Sequence, residues 1–147
     1  MRRIPLAIIA LALAGCSRTD TASERARLEA EFERTLNGAT LVGKFTSKNR
    51  DTLSEDRYTI SSVKKLAGDL WSIQTRIQYG ERDVTVPVPV KILWAGDTPV
   101  ITLTDLTIPG VGTFTSRVLI YRDEYAGTWS SSKGHGGQMF GRIERSR

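Results

Sequence analysis

Apolar and polar residues alternate with a period of two from about residue 39 almost to the end of the chain. In the clearest stretch Trp71, Ile73 and Ile77 alternate with Ser72 and Gln74 and further polar residues. This pattern predicts β-strands with one buried face and one face in water.

The next stretch, residues 84–94, keeps the alternation but carries Pro87 and Pro89 on the face opposite its valines. Proline cannot donate a ladder hydrogen bond. We therefore expect this strand to be bent, bulged or unpaired on one side.

Eight strands with short connections are predicted in all. They lie near residues 40–47, 57–64, 70–79, 84–94, 100–106, 113–121, 125–131 and 138–144. Strands joined by short links pair as hairpins, and eight can close into a barrel without exposed edges. The predicted fold is all-β, a single antiparallel, eight-stranded up-and-down barrel. A sandwich or an open sheet is the alternative, because the proline-bearing strand would suit a sheet edge.

In such a meander, alternate connections emerge at opposite ends of the barrel. The connections at residues 66–69, 95–98 and 122–124 share one end and are tight. Those at 48–56, 80–83, 107–112 and 132–137 share the other end and are mostly longer and richer in glycine. We expect any mouth at this second end. Arg50, Arg82, Lys133 and His135 are then the polar side chains predicted to face an acidic head group or carboxylate.

A short helix is predicted before the strands. Thr21 and Glu24 form a capping box, Leu28, Phe32 and Leu36 recur every four residues, and Asn37-Gly38 is a stop signal. The apolar stripe is narrow, so this helix, residues 24–36, is expected to lie against the domain through one of its sides only. The polar residues that precede it are interpreted as a tether, residues 16–23.

The beginning of the chain has the organisation of a secretion signal. Arg2 and Arg3 precede an apolar run over residues 4–14, which is about half the roughly 20 residues that a membrane span needs. The run ends in Leu13-Ala14-Gly15-Cys16, and residues 1–17 resemble the lipobox signal of bacterial lipoproteins. An ordinary secretory signal is the alternative.

The lipobox resemblance implies removal of residues 1–15, acylation of Cys16 with fatty acids such as palmitate, and anchoring in a membrane of the cell envelope. Ser17, which is not Asp, implies the outer membrane, facing the periplasm. The predicted organisation is a signal peptide (1–15), a tether (16–23) and one domain (24–147) made of the helix and a barrel over residues 40–144.

Composition narrows the remaining classes of function. Cys16 is the only cysteine, and its acylation, which the lipobox resemblance implies, would exclude an internal disulfide, a zinc-thiolate site and a mature cysteine nucleophile. Without Arg2 and Arg3 the basic residues fall from 21 to 19 against 16 acidic ones. This scattered, mild charge argues against a nucleic-acid partner.

Candidate catalytic motifs are incomplete. His135, the only histidine, lies in Gly134-His135-Gly136-Gly137, which is similar to an esterase oxyanion loop, but the serine elbow and a second histidine are missing. Asp97-Thr98 lacks the glycine of an aspartic-protease turn, and no spacing of metal ligands recurs. We expect no enzyme, no cofactor and no metal; a hydrolase that uses His135 is the least favoured alternative.

The strands also resemble the lipocalins and related calycins. Gly43-Lys44-Phe45 lies on the first predicted strand and Arg142 on the last, although Phe45 takes the place of a tryptophan and Gly127-Thr128-Trp129 lies near the other terminus. The resemblance implies a closed barrel that holds a small apolar ligand. The expected function is a non-enzymatic module that binds such a ligand or another envelope protein, with a structural or assembly lipoprotein as the alternative.

Overall fold

A closed barrel of eight antiparallel strands follows one helix in the computed structural model, which describes residues 17–48 and 50–145. The elements are α1 (Ser17–Leu36), β1 (Ala39–Ser47), β2 (Arg50–Ala67), β3 (Leu70–Tyr79), β4 (Arg82–Ala95), β5 (Thr98–Ile108), β6 (Gly112–Tyr121), β7 (Glu124–Ser131) and β8 (Gly136–Arg145). Each strand pairs with its neighbour in the chain, and β1 pairs with β8 through partners such as Leu41 and Ile143. The predicted up-and-down barrel is confirmed, and the sandwich and the open sheet are wrong.

The two faces of the strands follow the alternation in the sequence. On β3, Trp71, Ile73 and Ile77 are buried, while Arg76 on the other face is exposed. Inward-facing residues of all the strands form one hydrophobic cluster inside the barrel. Burial of this cluster is the main force that closes the sheet.

The two prolines mark a partial opening in the wall of the barrel. Pro87 and Pro89 pair with β3, whereas the pairing of β4 with β5 is confined to Lys91–Ala95. The half of β4 nearer the predicted mouth is therefore unpaired on one side, as predicted. An Arg82 Nη atom donates a hydrogen bond of 3.0 Å to the Gly110 carbonyl and ties β4 to the β5–β6 turn.

The second strand is longer than predicted, which corrects the connection placed at residues 48–56. β2 begins at Arg50, so only residues 48 and 49 separate it from β1. Residues 50–53 are exposed and lie outside the pairing of β2 with β3, which begins at Asp56, so no face is buried there and the alternation of apolar residues is lost. The connections at the mouth end are consequently short, with two to four residues each.

The helix closes the other end of the barrel. Phe32 packs edge-on against Trp71 and Trp94, with ring centroids 5.4 and 6.5 Å away, and Leu36 is fully buried. Trp71 is the second residue of β3 and Trp94 the second last of β4, so both lie at the end opposite the predicted mouth. The helix is thus a plug across the base, and it packs there through one of its sides, as predicted, because Phe32 and Leu36 are buried while Arg25 and Arg34 are exposed.

Polar contacts fix the helix at this base. Lys65 Nζ lies 2.6 Å from Glu29 Oε2, and the Val63 N–H donates to Asn37 Oδ1 at 2.6 Å. The helix ends at Leu36 as predicted, with Gly38 at a φ of +72°. It begins at Ser17, earlier than the predicted residue 24, so most of the predicted tether is helical. Ser, Thr and Asp favour caps over helix interiors, which hid this extension. The signal peptide and Cys16 lie outside the described residues.

Candidate functional site

The barrel encloses an apolar cavity of about 200 Å³. All eight strands contribute to its wall, and most of the contributing side chains are aliphatic or aromatic, such as Ile73, Val90 and Met139. An apolar cavity of about 150 Å³ in another protein is large enough to bind benzene. This cavity therefore has room for a small ring or a short alkyl chain.

Between the cavity and the mouth lies a zone that we call the throat. Its residues line both the cavity and a basin at the mouth of the barrel. They are Phe45, Asp56, Tyr79, Val111, Phe114 and Trp129. Phe45 contacts Tyr79 and Trp129 at centroid distances of 6.4 and 5.6 Å, and Phe114 contacts Trp129 at 6.5 Å. The throat is a chain of four aromatic rings with one carboxyl group.

Asp56 carries that carboxyl group, and it is only 4 % exposed. The Tyr125 hydroxyl donates to its Oδ1 at 2.9 Å, and the Tyr58 hydroxyl donates to its Oδ2 at 3.1 Å. Tyr79 lies directly opposite Asp56 in the pairing of β2 with β3. The backbone of Asp56 also donates to its own carboxyl group. A carboxylate can accept about four hydrogen bonds, so acceptor capacity remains for another donor.

Two glycines allow Tyr125 to reach Asp56 from the far side of the seam, the pairing of β1 with β8 that closes the barrel. Tyr125, Gly141, Gly43 and Asp56 are successive partners across β7, β8, β1 and β2. A Cβ atom at Gly43 would overlap the Tyr125 hydroxyl, and one at Gly141 would lie 2.8 Å from Cε1 of Tyr125. The absence of side chains at these two positions lets the phenol ring lie across two strands.

Burial dominates the electrostatics of this cluster. Desolvation raises the pKa of Asp56, and the hydrogen bonds from Tyr125 and Tyr58 offset only part of the rise. Desolvation also raises the pKa of both phenols, and the neighbouring Asp56 adds to the effect. Within residues 21–48 and 50–145, none of the ion pairs includes Asp56. The throat therefore holds a carboxyl group that lacks a counter-cation.

The four predicted ligand-facing residues surround the mouth. Arg50, Arg82, Lys133 and His135 all line the basin and all are exposed. The structure thus brings them to one end of the barrel, the end at which the sequence predicts a mouth. Their contact with a ligand stays a prediction.

Asp56 is the site residue that the sequence interpretation missed. The sequence pattern places Asp56 in the connection at residues 48–56, whereas Asp56 lies on β2 with its side chain inward. A signal was present, because Asp56, Tyr58 and Ile60 follow each other with a period of two. An isolated acid before two apolar residues is usually interpreted as the end of a strand, which concealed it.

The remaining chemical candidates occupy turns. Asp97 lies in the β4–β5 turn and its Oδ1 accepts a hydrogen bond from Thr98 Oγ1 at 3.2 Å, while the His135 carbonyl accepts one from the Ser131 N–H at 2.8 Å. In the part of the chain that the structure describes, no group of three or more His, Cys, Asp or Glu side chains is arranged to hold a metal ion. No described helix is both long and apolar enough to span a membrane.

Comparisons with models of protein families, with curated proteins and with solved structures find no match for this chain. The resemblances to lipoproteins and to lipocalins therefore stay predictions. The features of the structure that bear on function are the cavity and the throat.

Proposed function

We propose that this chain is a lipid-anchored protein of the cell envelope that binds a small apolar ligand inside its barrel and catalyses no reaction. The observation that supports the proposal is the apolar cavity, which is open through the throat and closed at the base by α1. Preformed, mostly apolar concavities with a few polar groups are the usual form of small-molecule sites.

Filling the cavity with an apolar ligand is favourable. Removing apolar surface from water contributes about 25 cal/mol per Å² to the free energy of binding. A cavity of about 200 Å³ leaves its lining side chains without packing partners, and a ligand that fills it restores those contacts. The volume limits the buried part of the ligand to a ring or a short chain.

Blocking the cavity tests this proposal. Ser116 lines the cavity from β6, so Ser116→Phe should fill it from within. Ser72 projects from the outer face of β3 and is only half-buried, so Ser72→Phe is a matched control. Native mass spectrometry and lipid extraction should find a ligand bound to the wild type and to Ser72→Phe, and none bound to Ser116→Phe. A wild-type protein that carries nothing and binds no apolar probe contradicts the proposal.

The anchor has its own test, because it depends on Cys16 alone. Several acyl chains on one residue give stable membrane binding, whereas one chain is marginal. Radioactive palmitate should label the wild-type protein and not Cys16→Ala, and fractionation should find the label in the outer membrane. A wild-type band as unlabelled as the variant would refute acylation.

A second candidate function, assembly with other envelope subunits, is favoured by a row of apolar residues on the outer wall. Leu93, Val100, Leu119, Ala126 and Phe140 are successive partners across β4 to β8. Leu93, Leu119 and Phe140 are 41–45 % exposed. Contiguous exposed apolar patches often mark protein interfaces.

Sedimentation velocity tests assembly. The wild type should associate as its concentration rises, and Leu119→Glu should be monomeric. Thr85→Glu places the same charge on an exposed outward position of β4, away from the row, and should associate normally. A wild-type protein that is monomeric at all concentrations argues against self-assembly through this row.

A further inference from the structure

We propose that the throat selects an apolar ligand with a cationic amine head, which pairs with the Asp56 carboxylate while its apolar part occupies the cavity. This inference rests on the proposed function, since it names the class of ligand that the cavity takes. Three observations on the throat lead to it.

The first observation is the uncompensated carboxyl group. Asp56 is 4 % exposed, and its side-chain partners are two neutral phenols, at 2.9 and 3.1 Å. Buried carboxylates are normally paired with a cation or bound to a metal, because desolvation of an isolated charge is costly. An ammonium group supplies both the missing charge and donors for the remaining acceptor capacity of the carboxylate.

The second observation is the aromatic lining beside the carboxyl group. Tyr79 is the direct cross-strand partner of Asp56, and Phe45 and Trp129 continue the chain of rings from it. The faces of aromatic rings attract cations, and a desolvated site strengthens that attraction. Rings and a carboxylate together favour a cation and disfavour an anion.

The third observation is the contrast between the throat and the rim, which we define as the basic side chains of Arg50, Lys133 and His135 at the mouth. These three side chains are exposed to solvent, whereas Asp56 is buried. At about 0.1 M salt, interactions between exposed charges more than about 10 Å apart are largely screened, and those of buried charges are screened much less. A head group that descends to the throat therefore responds to Asp56 more strongly than to the basic residues of the rim.

Three probes with the same eight-carbon chain test the inference: octylamine, 1-octanol and octanoate. Isothermal titration calorimetry is done at pH 7 on the full chain with Cys16→Ala, so that no acyl chain competes for the cavity. Octylamine is a cation at this pH, since alkylammonium groups lose their proton near pH 10. Because charge-assisted hydrogen bonds are stronger than neutral ones, octylamine should bind about tenfold more tightly than octanol, and octanoate more weakly than both.

The variant Asp56→Asn keeps the size of the side chain and removes its charge. It should reduce octylamine to the affinity of octanol and leave octanol unchanged. Asp51→Asn removes an exposed carboxylate from the same strand that lines neither the cavity nor the basin, and it is the matched control, with all three affinities as in the wild type. Circular dichroism checks that both variants are folded, and the ranking of probes in the protein with native Asp56 tests the inference even if Asp56→Asn does not fold.

The outcomes separate this inference from the proposed function. If octanol binds and octylamine binds no more tightly, selection by Asp56 is refuted and the apolar cavity stands. If octanoate binds most tightly, the basic rim selects the head group and the inference is likewise refuted. If none of the three probes binds, the proposed function itself fails.

Discussion

Leu36 provides a quantitative test of the idea that α1 is a plug and not a tether. The side chain lies at the end of the helix and is fully buried in the base of the barrel. The test is Leu36→Ala beside Leu66→Ala, since Leu66 is 56 % exposed at the end of β2. The two variants delete the same atoms from a buried and from an exposed position.

The magnitudes follow from burial. Removing a fully buried leucine side chain costs about 3 kcal/mol of unfolding free energy, through lost transfer energy and the new cavity. Leu66→Ala should change it by less than about 0.5 kcal/mol. At roughly 3 °C per kcal/mol for a chain of this length, Leu36→Ala should lower Tm by about 10 °C and Leu66→Ala by about 2 °C or less.

Differential scanning calorimetry on the two variants measures both values under the same conditions. If the helix were only tethered to the barrel, it would melt separately, and loss of Leu36 would leave the main transition in place. Equal Tm values for Leu36→Ala and Leu66→Ala would therefore refute the plug and reopen the base of the cavity.

The throat and the seam give further predictions. The folded pKa of Asp56 is raised above its unfolded value of about 3.9, so the folded state binds more protons there and stability falls as the pH rises from about 4 through the raised pKa. Asp56→Asn should flatten this part of a Tm–pH curve, and an unchanged slope would contradict the assignment. Gly43→Ala should cost about 1–3 kcal/mol in urea unfolding, because its Cβ would overlap Tyr125 and the Phe140 carbonyl; wild-type stability would refute the close approach. Arg25→Ala should cost no more than about 1 kcal/mol in the same assay, since its guanidinium lies over Trp94 at an exposed position; a larger loss would indicate a further role at the base.

The barrel could be predicted because its physical causes are local. A period of two on each strand and short turns leave few arrangements for eight strands. Positions such as Gly96 and Gly38, with φ of +66° and +72°, mark turns in the sequence as well as in the structure. The partial opening at Pro87 and Pro89 could also be predicted, since a missing donor is a property of the residue itself.

The site could be predicted only in part. The end of the barrel that carries Arg50 and Lys133 follows from the alternation of connections along a meander. The throat does not, because it depends on which side chains approach one another across the closed seam between β1 and β8. Tyr125 and Asp56 are 69 residues apart and meet only because Gly43 and Gly141 lie between them. No local pattern encodes such a contact.

The same seam explains why Asp56 is costly to keep and yet is held firmly. A fold that needed only stability would place an apolar residue there, since replacing a buried ionic group by a hydrophobic one is often neutral or stabilising. Instead, two tyrosine hydroxyls fix the carboxyl group, and two glycine positions leave room for one of those tyrosines. This arrangement fixes the orientation of a carboxyl group without a counter-cation at the entrance to an apolar cavity. The amine selection proposed above requires both features, a fixed carboxyl group and an apolar cavity beside it.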